Sequence, residues 1–256
     1  MFYNGKMQGI LDFGARADVG RMRDRLLAHF PALPAWYRPD PCSQLVLSLI
    51  SSRTRDALSL LAHRKLLWHF AAWGRVAQAA PGEIEAVIAD VRFADRKAVQ
   101  LQAALAIIGR QHPDFRLDFL GTWPVARAMA WLEKLPGVGP KVAASTLNFS
   151  TLRASAFVVD SHVHRVLRRF GFVGPAAATR RAYDFVMAAT AGWGADDLDG
   201  LHMLLKQLGQ TACRALDPAC AACPLAPDCR FHRRGGRPRP RRPARAKAVD
   251  QPRPRL

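Results

Sequence analysis

Four of the five cysteines fall within seventeen residues, as Cys213-x6-Cys220-x2-Cys223-x5-Cys229. Thiolates are soft ligands suited to zinc or to an iron–sulfur cluster, and Pro218, Pro224 and Pro227 help hold the loop open around a shared centre. The bland alternative is a set of thiols buried singly. Only Cys42 stands outside the group, which argues against it. Zinc sites usually pair two short Cys-x2–4-Cys units; one such unit is present here, so the spacing favours a [4Fe–4S] cluster.

A second pattern, Leu135-Pro136-Gly137-Val138-Gly139-Pro140-Lys141, is a glycine-rich turn between two helical patterns. Its glycines let backbone N–H groups approach an oxygen-rich anion, and a helix starting at Pro140 adds a dipole favourable to phosphate. A plain turn between antiparallel helices is the other reading. Lys141 lies in the first turn of that helix, where the dipole disfavours a cation. Desolvation would raise its neutral, nucleophilic fraction, as imine formation requires; otherwise it contacts phosphate or solvent. Asp160 opens Ser161-His162-Val163-His164-Arg165 at an N-cap position. A capping carboxylate can also stabilise the positive charge that develops on a sugar as an N-glycosidic bond breaks. His162 and His164, two apart, do not share a helical face, so structural or DNA-contacting roles fit better than a shared metal. The remaining histidines are scattered.

The elements that must position these residues read as helices nearly throughout. Ala98, Leu101, Ala104, Leu105 and Ile108 share one helical face, as do Val125, Ala128, Met129, Leu132 and Leu135. The second of these helices begins at Thr122-Trp123-Pro124, a cap candidate followed by proline near the first turn, and ends at Pro136-Gly137; another can start at Pro140. Helical spacing also covers 43–50, 57–70, 163–170, 180–189 and 197–208, and only Phe157-Val158-Val159 reads as strand. The expected class is all-α. The proline-rich stretch 31–41 reads as a linker, and 152–155 as a second crossing between domains.

With 256 residues, 50% hydrophobic and 23% charged, the chain is long enough for about two domains and is not wholly disordered. Lys+Arg 38 against Asp+Glu 20 leaves +18, which points to a polyanionic partner. Residues 230–256 hold eleven Lys or Arg and one Asp, so +10 lies there and +8 in the body. Residues 231–256 have almost nothing apolar to bury and read as a disordered basic tail. No apolar run approaches the roughly 20 residues a bilayer needs, no leader is evident at the start, and no cationic amphipathic helix accompanies the tail. A membrane partner is therefore not expected, and the expected location is the cytoplasm, at the nucleoid.

On these motifs, residues 20–230 resemble the endonuclease III branch of the helix-hairpin-helix (HhH-GPD) DNA glycosylases. The hairpin Leu135-Pro136-Gly137-Val138-Gly139-x-Lys141, the segment Val158-Val159-Asp160-Ser161-His162-Val163 and the cysteine loop occur in the family's order and near its spacings. The resemblance implies two helical domains. A six-helix barrel with the hairpin would span 34–154, and an iron–sulfur cluster domain would combine 1–33 with 155–230. DNA would lie in the cleft between them, and Cys213, Cys220, Cys223 and Cys229 would hold a [4Fe–4S] cluster. Lys141 resembles the nucleophile that attacks the sugar anomeric carbon, and Asp160 the carboxylate that assists it. Pro136, Gly137, Val138, Gly139 and His162 fall at DNA-facing positions. Arg53 stands where the family usually has glutamine, in the loop that fills the gap left by a flipped base. Phe93 stands where a leucine wedge is often found, and an aromatic can still stack between base pairs. Gly209-Gln210 stands where Gly-Arg is common, one positive charge fewer.

The function this implies is base excision repair: a DNA glycosylase with abasic-site lyase activity, excising damaged, oxidised bases from duplex DNA by base flipping and imine chemistry. Two alternatives stay open on the residues, a monofunctional glycosylase for alkylated, deaminated or mismatched bases and a non-catalytic DNA-binding protein. No oligomer is implied, so a monomer is expected.

Overall fold

The computed structural model describes residues 12–30 and 37–236. The first helix, α1 (Asp12–His29), precedes α2 (Pro41–Ser51), which starts where Asp40 accepts a hydrogen bond from the Ser43 N–H at 2.9 Å and Pro41 takes the first helical position. Then follow α3 (Asp56–Phe70), α4 (Trp73–Gln78), α5 (Pro81–Val87), α6 (Ala94–Gln111) and a 3-10 turn at Asp118–Thr122. The hairpin pair is α7 (Val125–Leu132) and α8 (Pro140–Asn148); beyond it come α9 (Ser161–Phe170), α10 (Thr179–Ala189), α11 (Ala195–Gln210) and the short α12 (Arg230–Arg233).

Apolar stripes sort the helices into two groups. In the first, α2 lies between α8, α3 and α6, while α4 and α5 pack on α6 and α7 on α8. The barrel expected from six helices thus comprises seven helical segments, two of them short. In the second group α1 packs on α10 and α11, and α9 on α11. The all-α expectation holds among the described residues, which include no strand. Phe157-Val158-Val159 is extended but lacks a strand partner. These side chains are 0–2% exposed and fill the core, while the Phe157 N–H meets Met187 Sδ and the Val158 carbonyl accepts from His202 Nδ1 at 2.8 Å. Their apolar character serves burial, not a sheet.

Two segments connect the groups. The Thr151 N–H donates to the Pro39 carbonyl at 3.0 Å, so the crossings run together. Arg38 pairs with Asp199 at 2.7 Å, Arg153 pairs with Asp196, and the Asn148 side-chain amide bonds the carbonyls of Ala154 and Ala195 at 3.2 Å. Of the expected linker 31–41, residues 31–36 lie outside the described residues and Pro41 already belongs to α2.

Three helices escaped the periodicity. Among the described side chains of α1 the core takes Val19, Met22 and Leu26, and α4 and α5 are too short to show a period. The helix expected to run to Leu135 ends at Leu132, because the hairpin turn begins there. The boundary of the basic tail also moves: residues 231–236 are ordered by α12 and the turn after it, with the Arg169 guanidinium over the Phe231 ring at 4.7 Å. Residues 237–256 lie outside the described residues. Among the described residues no helix is long and apolar enough to cross a membrane. Phe157 lies at the centre of this packing, so Phe157→Ala should lower unfolding free energy by roughly 3–5 kcal/mol, measured by chemical denaturation.

Candidate active site

Lys141 sits in the first turn of α8, and its Nζ reaches the C-terminal end of α2, donating to Ser51 Oγ at 2.8 Å with the Ser48 carbonyl at 3.5 Å. The contact between α2 and α8 is fixed from within by a buried network. Gln44 Nε2 donates to Ser48 Oγ at 2.9 Å and Ser145 Oγ at 3.1 Å, and the two hydroxyls lie 2.8 Å apart. Burial pushes the Lys141 ammonium down to about 8 and Lys206 adds to this, against the opposing pull of Asp160 and Asp56. Near neutral pH this amine therefore yields its neutral form far more readily than an ordinary lysine.

Asp160 caps α9, its Oδ1 accepting the Val163 N–H at 2.8 Å, which leaves Oδ2 for other partners. Burial alone would raise the carboxyl; His202, the Val163 N–H, His162 and Lys206 outweigh it and hold the group below the usual carboxylate range. His202 is 3% exposed, and since the Val158 carbonyl can only accept, Nδ1 carries the ring proton. Burial keeps its imidazole neutral despite the nearby Asp160, with Lys206 and Lys141 adding to the effect. Across the mouth of this site Lys206 pairs with Asp56 at 2.7 Å, joining α11 to α3. An amine of lowered basicity beside an ionised carboxylate is a nucleophile with a charge partner.

In the hairpin, Leu135 and Val138 turn inward, 4% and 7% exposed, and the Val138 N–H closes the turn on the Leu135 carbonyl. Gly137 has φ +77°, and a Cβ there would meet Gln100 at 2.8–2.9 Å, so glycine is required twice over. Gly139 caps α8 with open space where a Cβ would stand, leaving its backbone approachable. Pro136 is half-buried beside them.

Arg53 and Phe93 are both non-glycine residues in the left-handed region, with φ 55° and 62°. Each forms the tip of an exposed turn, and the two tips adjoin, the Arg53 guanidinium lying 6.0 Å from the Phe93 ring. Arg92 and Arg96 approach the same ring at 5.0 and 5.9 Å, so a 40% exposed aromatic is ringed by three cations. His162 is set back: its Nδ1 accepts from Arg165 Nη2 at 3.2 Å, and its Cβ packs where a side chain on Gly209 would be.

The four loop cysteines line one small cavity together with Arg169 and Phe231. Among the described residues no three His, Cys, Asp or Glu side chains are grouped to hold a single metal ion. The thiols are partly exposed, with those of Cys220 and Cys223 raised by burial and by the neighbouring cysteines. Four thiols on one cavity are a donor set that an iron–sulfur cluster can take, with His232 also on the lining. Arg165 and Arg169 brace it: Arg165 Nε donates to the Cys213 carbonyl at 2.9 Å, and Arg169 donates to the Arg214 carbonyl at 2.6 Å and to Cys213 Sγ at 3.4 Å. Cys42, by contrast, is buried in α2 and its thiol is pushed far up by desolvation.

The sequence reading missed Ser51, His202, Lys206, Asp56 and Lys97. His202 shares the buried stripe of α11 with Leu198 and Leu205, and Lys97 that of α6 with Leu101 and Ala104, so a polar residue on an apolar face was the available signal. Ser51, Asp56 and Lys206 carry none.

The sequence model of the HhH-GPD superfamily of base excision DNA repair proteins matches residues 46–187. The chain belongs to that superfamily, in its endonuclease III-like branch. Endonuclease III of Thermotoga maritima is 28% identical over 203 residues, 77% of this chain and 86% of the relative. The endonuclease III homolog of Encephalitozoon cuniculi is 30% identical over 200 residues, 72% of this chain and 76% of its own. Among solved structures, a trapped endonuclease III–DNA covalent intermediate superposes with a TM-score of 0.72 at 23% identity, covering 87% of this chain and 99% of that one. A thermostable thymine-DNA glycosylase gives 0.67 at 18% identity over 88% and 99%. The chain is thus an endonuclease III-like DNA glycosylase of base excision repair. The superfamily match contains Lys141, Asp160 and both loop tips, and stops before the cysteine loop.

Burying the Lys141 ammonium has a thermodynamic signature in this glycosylase. Its folded pKa lies below the unfolded value, so the unfolded chain binds more protons between about pH 8 and pH 10.5, and stability rises with pH across that window. Lys141→Met should therefore raise the melting temperature at pH 7, with the gain shrinking as pH climbs through the window, measured by thermal scans in a pH series.

Proposed function

We propose that this protein is a bifunctional glycosylase that removes oxidised or otherwise modified bases from duplex DNA and then cuts the strand at the abasic site. The observation that carries the reading is a desolvated Lys141 amine within the electrostatic reach of Asp160, which is held ionised. In this reading the barrel unit spans 34–154 and the second unit combines 1–33 with 155–230, of which 1–11 and 31–36 lie outside the described residues. DNA lies in the cleft between them, its backbone against the hairpin turn 136–139 and His162. Phe93 enters the stack while the damaged nucleotide turns out toward Lys141, at an unstacking cost lowest where pairing is already weak.

The neutral Lys141 amine attacks C1′ of the sugar, and the N-glycosidic bond breaks with its electron pair passing to the base, which takes a proton from water. Asp160 stabilises the positive charge on the sugar and accepts the proton lost by the new ammonium. Asp160 then returns that proton to the ring oxygen as its bond to C1′ breaks, which opens the sugar and leaves an imine to Lys141. Loss of a C2′ proton then expels the 3′ phosphate and cuts the strand, and water releases the enzyme.

Cys213, Cys220, Cys223 and Cys229 would hold a [4Fe–4S] cluster. Such a group, when bound, cross-links the loop and leaves no open ligand position for hydrolysis. The proposed setting is a monomer acting at the nucleoid, with no membrane partner.

With an abasic-site duplex and borohydride, wild type should give a covalent adduct on a denaturing gel and Lys141→Gln none. The trapping rate should rise through about pH 8 as the amine deprotonates. No adduct from wild type on bound DNA would exclude the lyase step, and base release from oxidised, alkylated, deaminated and mismatched duplexes would then identify the substrate. Purified protein should contain iron and acid-labile sulfide in equal amounts, and replacing Cys220 with serine should lower both. Residues 237–256 hold eight Lys or Arg and one Asp. Removing them should weaken DNA binding and flatten its salt dependence while sparing turnover on saturating substrate.

A further inference from the structure

Lys97 is 5% exposed, and the chemistry above gives it no part. Its ammonium donates to the carbonyls of Ile50 and Ser52, both at 2.6 Å, and to Thr54 Oγ1 at 3.1 Å. Three acceptors satisfy all three N–H groups, the condition under which a charge tolerates burial. The acceptors all lie at the end of α2 and in the turn that follows, whose apex is Arg53. The Ile50 carbonyl stands in the last turn of α2, where the helix dipole favours a cation. Thr54 Oγ1 also accepts the Arg92 N–H at 3.2 Å, and Arg92 precedes Phe93. Lys97 itself projects from the first turn of α6, which Phe93 caps. One ammonium therefore ties together both turns whose tips are held in left-handed conformations. Lys141 Nζ bonds Ser51 Oγ, between the two carbonyls that Lys97 holds, but the helix that carries Lys141 is seated on α2 by Gln44, Ser48 and Ser145, none of which Lys97 bonds.

We propose that Lys97 is a positioning residue that locks the Arg53 and Phe93 turns into one rigid wedge, so that unstacking of the duplex depends on it while the chemistry at Lys141 does not. The inference rests on the proposed function above. A left-handed non-glycine residue persists only where its surroundings over-determine it, and here Lys97 and Thr54 supply that constraint to two such residues at once. A single-stranded abasic site has no stack to open, so it reports on the amine alone.

The test compares wild type, Lys97→Met and Lys97→Arg on the same abasic site in duplex and in single-stranded DNA. Borohydride trapping is followed in both, and the fluorescence of 2-aminopurine opposite the site in the duplex reports unstacking. Lys97→Met should slow duplex trapping about tenfold or more, leave single-strand trapping within about twofold, and abolish the fluorescence rise. Lys97→Arg, which keeps the charge, should recover part of both duplex signals. Equal losses on the two substrates, or an unchanged fluorescence rise, would overturn the proposal. Should Lys97→Met fail to fold, Thr54→Val removes the hydroxyl that joins the two turns and should show the same duplex-only loss. If wild type itself forms no adduct, the lyase reading falls, and the fluorescence arm, which needs no covalent chemistry, still decides the role of Lys97.

Discussion

Every feature of the site follows from burying one ammonium group where a cation is least welcome. Lys141 stands at the positive end of α8, half-buried and near a second cation, Lys206. Against this the protein sets a serine hydroxyl, a carbonyl at the end of α2 and the charges of Asp160 and Asp56. The result is a lysine held part-way between its charged and neutral forms, which nucleophilic chemistry on a sugar requires and an exposed lysine lacks. Because Lys141 and Asp160 come from opposite sides of a chain crossing, the two helical groups must be held in register for the pair to exist. Ion pairs of Arg38 and Arg153 with the start of α11, the Asn148 amide and the bond between Thr151 and Pro39 serve that register.

The Arg53 and Phe93 turns use a different physical device. Arg53 and Phe93 occupy backbone conformations that cost a non-glycine residue about 1–3 kcal/mol each. A strained tip keeps its shape when something other than DNA supports it, and the support runs through buried polar atoms beneath the turns. The three guanidinium groups around Phe93 keep a partly exposed aromatic solvated and concentrate positive charge at the tips. At the far end, Arg165 and Arg169 satisfy carbonyls of the cysteine loop, and Gly171, at φ +110°, makes room for Arg230 where that loop closes on α9. The positive charge of this protein thus serves packing at one end and display at the other.

Much of this was legible in the residues. The helical stripes of α2, α3, α6 and α8–α11, the glycine turn, the capping Asp160 and the cysteine spacing are local patterns whose physics acts over a few residues, so composition and period express them directly. Phe157-Val158-Val159 misled because apolar, β-favouring residues look alike whether they pair in a sheet or fill a core. Residues 231–236 misled because a basic, glycine-rich stretch signals disorder unless an arginine elsewhere, here Arg169, supplies a surface for Phe231 to meet.

The sequence by itself determined which side chains were available for chemistry and on which elements they ride: a lysine at a helix start, a carboxylate at another, four clustered thiols. Only the tertiary structure decided their state. The lowered basicity of Lys141, the neutral ring of His202 and the saturated ammonium of Lys97 arise from groups far away in sequence, such as Ser51 for Lys141 and Val158 for His202. Desolvation and hydrogen bonding at these sites depend on what is brought within a few ångströms through the fold, and no local pattern encodes that.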